Sequence, residues 1–128
     1  MTDILIVAHG QPGDPEPQQQ AVEALAASIA PHLPQIQVRG ATLAMPGALN
    51  LATPETLIYP MFMATGWFTR SELPRRLALA GAAGARVLPP FGSSPGLPAL
   101  CLSLISDAAA DQGWPLKDTH LLIAAHGS

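Results

Sequence analysis

The chain has 128 residues, of which 48% are hydrophobic and 12% charged, and its formal net charge is −3. That length suits one domain of ordinary size, and a charged fraction well under the usual value of about 25% means that much of the chain is buried, in its own core or against a partner. The small negative charge gives no electrostatic case for nucleic acid or an acidic membrane surface, and no apolar run reaches membrane-spanning length. A single cysteine, Cys101, excludes an internal disulfide and suits a reducing compartment. Met1-Thr2-Asp3 leads into an apolar strand without the basic region and cleavage site of a signal peptide, so the expected location is the cytoplasm.

Ile4 to Ala8 is an unbroken, β-branched apolar run, the pattern of a strand buried on both faces in a parallel sheet. His9-Gly10 ends it, and Gln11 to Pro17 reads as a polar turn. Val22, Leu25, Ala26 and Ile29 have helical spacing over Gln18 to Ala30, closed by Pro31 and Pro34. Ile36 to Leu43 alternates partly and is a second strand; 46 to 54 is a short helix and loop. Thr56 to Met63 is a third strand, with Pro60 placing its end nearby. After Gly66, Ser71 to Ala80 reads as a helix with Ser71 as N-cap and Pro74 in the first turn. Arg86 to Leu88 is a short strand, and Gly96 to Ala110 a long helix with Leu97, Leu100, Cys101, Leu104 and Ile105 on one face, ended by Gly113. This alternation implies an α/β fold: a parallel sheet of about four strands with helices on both faces.

The last residues repeat the first. Leu121 to Ser128 reads Leu-Leu-Ile-Ala-Ala-His-Gly-Ser, and Ile4 to Gln11 reads Ile-Leu-Ile-Val-Ala-His-Gly-Gln. Two buried-type strands ending in Ala-His-Gly, one domain length apart, indicate an internal repeat. The expected organisation is an α/β domain over 1–118 and the first strand of a second repeat over 119–128.

Ligands of open parallel sheets bind beyond the C-terminal strand ends. His9 stands at such an end. Thr65 to Arg70 follow the third strand, and Phe91 to Ser94 follow the fourth, so three loops are expected to converge on one cleft. His9 has the chemistry of a metal ligand or a general base, and equally of a structural histidine bonded to a neighbouring loop. His126 has the same local sequence. His32, at a Pro-flanked helix end, suits a capping role, and His120 an exposed one. Arg70, Arg75 and Arg76 could grip carboxylates or form a solvated helix face. Trp67 and Phe68 could line an apolar pocket for a flat ligand or pack in a core. No zinc-type Cys/His spacing is present. Nor is a Gly-rich phosphate fingerprint or a G-x-S-x-G elbow, so no nucleotide cofactor is expected.

These residues resemble the CbiX-type class II chelatases, which include the sirohydrochlorin cobalto- and ferrochelatases. Ile-Leu-Ile-Val-Ala-His-Gly at 4–10 is similar to the family's first strand and metal-site histidine. Tyr-Pro-Met-Phe-Met-Ala-Thr-Gly at 59–66, followed by Glu72-Leu73-Pro74, is similar to its P-L-F-L-x-x-G-x-H-x-x-x-D-[IL]-P segment. Leu88-Pro89-Pro90-Phe91-Gly92 with Pro95 and Leu97 is similar to P-[LI]-G-x-x-P-x-[LV]. The resemblance covers nearly the whole chain. It implies a chelatase-like three-layer sandwich and insertion of a divalent metal, cobalt or iron, into sirohydrochlorin without ATP, on the way to siroheme or cobalamin.

It also implies site residues. His9 and His126 match catalytic and metal-handling histidines, and Gly66, Trp67, Phe68, Arg70 and Ser93 fall where substrate would lie. One departure matters: the histidine two places after the motif glycine is Phe68 here, and a phenyl ring neither binds a metal nor accepts a proton. Long family members hold two copies of the fold, and short ones dimerise. In related protoheme ferrochelatases the catalytic histidine follows the first strand of the second copy, the position of His126. The chain is therefore expected to be one half of a chelatase, completed by a second repeat or a second copy. The competing readings are a degenerate chelatase-fold domain that binds metal or tetrapyrrole without catalysis, and an unrelated flavodoxin-like binding domain.

Overall fold

The computed structural model describes residues 2–127. Thr2–Ala8 form β1, Ile36–Thr42 β2, Leu57–Pro60 β3 and Arg86–Val87 β4. They make a four-stranded sheet in the order β2-β1-β3-β4, parallel throughout, with Ile6 opposite Gly40 on one side and Tyr59 on the other. β1 is therefore interior, which is why its sequence is apolar without alternation. Pro60 pairs with Val7 at the last position of β3. It has no N–H to give, and the ladder is continued by Met61 N–H to Val7 O at 2.8 Å.

Alternate side chains of β1 enter two cores. Leu5 and Val7 join Ile58, Leu73, Leu77 and Ala82 on one face, the face covered by α2 (Leu73–Leu79). Ile6 joins Val22 and Ala26 on the other, the face covered by α1 (Pro15–Ile29). Leu5 has no solvent-exposed surface, and its burial is worth about 1.5–3 kcal/mol. The layers expected from the sequence are thus present. Beside α1, a groove of about 410 Å³ stays open, with Ile4, Ile6, Tyr59 and Met61 on its sheet side.

The N-terminal strand ends are tied by polar bonds. Asp3 Oδ2 accepts from Arg39 Nη2 at 2.9 Å and from Thr56 Oγ1 at 2.8 Å, while Arg39 Nη2 also donates to Leu51 O at 2.8 Å. That leaves the C-terminal ends free to hold a site.

Several boundaries differ from the sequence reading. α1 starts at Pro15, three residues before Gln18, because Pro in the first turn forgoes only N–H groups that a helix leaves unbonded. Ser71 is not an N-cap: Phe68–Glu72 form a π-helical turn leading directly into α2, without a side-chain cap.

The chain divides into two compact units, Met1–Ser94 and Pro95–Ser128. The second holds α3 (Leu97–Gln112), which ends at Gly113, φ +71°, with Trp114 N–H donating to Ala109 O at 2.9 Å. After a short 3-10 turn at Leu116–Asp118, residues 119–127 have no regular structure. The strand expected from Leu121 is not formed; a strand needs a neighbour to satisfy its backbone N–H and C=O groups. Ser128, the last residue of that expected segment, lies outside the described residues.

Candidate active site

β1 delivers His9 to the C-terminal edge of the sheet, where the segments following β2 and β3 meet it. Leu43 N–H donates to Ala8 O at 2.9 Å and Ala44 N–H to His9 O at 3.0 Å, so the histidine backbone is fixed by the chain leaving β2. Gly10 then turns with φ +75°, and a Cβ there would lie 2.7 Å from Thr42 Cβ. No other residue type fits both the left-handed backbone and the space.

The His9 ring is held by two phenyl rings. Phe62, after β3, stacks on it with centroids 4.2 Å apart and planes 20° from parallel. Phe68, in the π turn, meets it edge-on at 4.3 Å and 82°. Neither ring nitrogen has a hydrogen-bond partner among the described residues. Burial, and secondly the positive charge of Arg76, push the His9 pKa below 6.5, so the ring is neutral at physiological pH and its nitrogen lone pair is free for a metal or a proton.

A cleft of about 270 Å³ opens at this ring, lined by His9, Gly10, Pro12, Leu43, Ala44, Phe68 and Arg76. Arg76 is fixed at its edge: Nε donates to Glu72 Oε1 at 2.8 Å and Nη1 to Leu43 O at 2.9 Å. Glu72, buried, also receives Arg75 through both Nε and Nη2. The two guanidinium groups hold the Glu72 carboxyl below its usual range, Arg75 first and Arg76 second.

Of the residues expected to face substrate, Phe68 is on the cleft wall. Trp67 lies against Phe68, centroids 5.0 Å apart, and is 63% exposed. Gly66 braces the π turn, exchanging hydrogen bonds with Thr69 Oγ1 at 3.0 and 3.1 Å. Arg70 is exposed and does not line the His9 cleft. Ser93 Oγ is engaged by Pro90 O at 2.8 Å, although its turn reaches the site through Gly92 N–H to Phe62 O at 3.0 Å. His126 lies in the exposed segment of the second unit. Among the described residues no three His, Cys, Asp or Glu side chains gather to hold a metal; the cleft is lined by one imidazole, that of His9.

The sequence reading grouped Arg76 with its neighbours but chose Arg70 for the site, and it passed over Phe62 and Leu43. The i, i+4 spacing of Glu72 and Arg76, which seats one against the other on a helix, was the signal for Arg76.

No family model and no curated protein matches the chain. A solved structure does: CbiX, described as the terminal enzyme for biosynthesis of siroheme in denitrifying bacteria, is 78% identical over 89% of this chain, with a TM-score of 0.86. The chain belongs to the CbiX family. It spans 50% of the length of that CbiX. A second structure, from Marinobacter aquaeolei VT8 and assigned by name to cobalamin (vitamin B12) biosynthesis as a CbiX protein, shares 20% identity and a TM-score of 0.57, covering 87% of this chain and 99% of its own; it shares the fold.

Proposed function

We propose that the chain is one half of a tetrapyrrole metal chelatase that inserts cobalt(II) or iron(II), as substrate, into sirohydrochlorin. The observation that carries this reading is a neutral, unbonded imidazole at the C-terminal end of β1 in a chain 78% identical to CbiX. Insertion requires a group that releases a metal to the ring and takes up pyrrole protons. An imidazole with a lowered pKa does both near neutral pH. His9 supplies one such group, and His126 a second when a second copy or second repeat completes the site. Trp67 and Phe68 form an apolar wall for a flat ring, Gly66 shapes their turn and the Ser93 turn backs it, while Arg70, the guanidinium the sequence reading favours for substrate, stands outside the cleft. A cytoplasmic location goes with this reading.

Phe68 specifically favours a second reading, a domain that binds tetrapyrrole without catalysis. Both are tested by adding sirohydrochlorin to this chain. The thermal midpoint is expected to rise, because a ligand of the folded state stabilises it. Cobalt(II) insertion, followed by absorbance, is expected to vanish in His9→Ala and His126→Ala. A midpoint shift without insertion, both in the wild type and in a tandem fusion of two copies, selects the binding domain; neither shift nor insertion in either protein overturns both readings.

A further inference from the structure

We infer that Arg76, rather than the more exposed Arg70, is the carboxylate receptor of the His9 cleft, and that Glu72 is the positioning residue that aims it; the inference rests on the tetrapyrrole reading for the identity of the acidic ligand. A guanidinium has five N–H donors. Arg76 uses one at Nε on Glu72 and one at Nη1 on Leu43 O. The other three have no partner among the described residues, yet the side chain is 37% exposed and lines the cleft with His9 and Phe68. Two bonds from opposite sides fix the guanidinium plane, so little rotamer entropy is lost when an acid arrives.

The charge balance agrees. Glu72 is buried and paired with both Arg75 and Arg76, so one carboxylate faces two guanidinium groups and the cluster keeps one positive charge. Arg75 is the more exposed of the two and does not line the cleft. A ligand with an acidic arm would lay its flat body against Phe68 and place the carboxylate on the free Arg76 edge, where two parallel N–H bonds suit it. Arg76 thereby sets the ligand's rotation over His9.

The test is equilibrium binding of uroporphyrin I, a polycarboxylate, by fluorescence quenching, beside a cationic porphyrin of similar ring size. Arg76→Ala is expected to weaken uroporphyrin binding about tenfold or more, the scale of a lost hydrogen bond between charged groups, and to leave cationic porphyrin no weaker. Arg86→Ala, which removes the same charge at the start of β4, controls for net charge. Glu72→Gln is expected to weaken binding less, and to add nothing in an Arg76→Ala background, which an effect on folding alone would not obey. Circular dichroism confirms that each variant is folded. Equal affinity in wild type and Arg76→Ala, or a wild type that binds no uroporphyrin, overturns the Arg76 site. Binding that depends on Arg76 in a protein that inserts no metal into sirohydrochlorin overturns chelation and leaves the receptor standing.

Discussion

His9 carries its chemistry because of what surrounds it. Its ring is stacked on Phe62 and met edge-on by Phe68, and its protonated form is disfavoured by desolvation first and by the charge of Arg76 second. The native state therefore binds this proton less readily than the unfolded chain. The associated stability is fully present above the unfolded value of about 6.5 and is lost as pH falls through the lower folded value. Thermal midpoints are expected to fall more steeply from pH 7 to pH 5 in wild type than in His9→Gln, and the His9 ring resonances to titrate below 6.5 by NMR. Equal slopes would mean that the ring is solvated. Phe68 offers the complementary experiment. An imidazole in its place would sit one ring contact from His9 and set a second nitrogen donor beside the first. Phe68→His is expected to tighten cobalt(II) binding by about ten- to a hundredfold, the scale on which supporting groups alter metal affinity, as read by calorimetry and by the visible spectrum of the bound ion.

At the scale of elements, the site depends on how closely two loops approach. Gly92 N–H bonds Phe62 O at 3.0 Å, and a Cβ on Gly92 would fall 1.7 Å from Met63 O. Gly92→Ala must push the turn after β4 away from the residues following β3, and Phe62 moves with them. We expect a loss of about 1–3 kcal/mol from this overpacking, measured by denaturant unfolding, together with shifted His9 resonances; a stable variant with an unmoved His9 would show that the turn does not support the ring. Much of this architecture is legible in the sequence. The apolar run at Ile4–Ala8, the helical spacing of Val22, Ala26 and Ile29, and the Pro60 strand end all fall where the structure has them, because each reflects a local period or a missing donor. The π turn at Phe68–Glu72 is not legible: Ser71 resembles a cap, yet the backbone winds through it. Nor is the choice of Arg76 over Arg70, since which guanidinium reaches the cleft depends on the tertiary pairing of Glu72 and on the Leu43 carbonyl, 33 residues away. The repeated Ala-His-Gly is visible in sequence, whereas the strand it announces has no neighbour to pair with.

At the scale of the molecule, the apolar surface left open is the remaining physical problem. Leu100, Leu102 and Leu104 on α3 are exposed, and Leu122 and Ile123 are 90% and 80% exposed, while the groove beside α1 is lined by Ile4, Ile6, Tyr59 and Met61. A chain with so few charges cannot dilute these surfaces among polar ones, and exposed apolar area drives association. The chain spans 50% of the length of the CbiX it matches, and we propose a second copy of this chain as the partner that covers these surfaces. We expect sedimentation velocity to show a concentration-dependent dimer at micromolar protein. Leu122→Asp with Ile123→Asp should shift it toward monomer without lowering the thermal midpoint of the monomer, since both side chains lie outside the buried cores. If catalysis needs the His126 of a second copy, metal insertion should fall with the same dilution that dissociates the dimer. Insertion by a demonstrably monomeric chain would instead mean that no second copy is needed to complete the site.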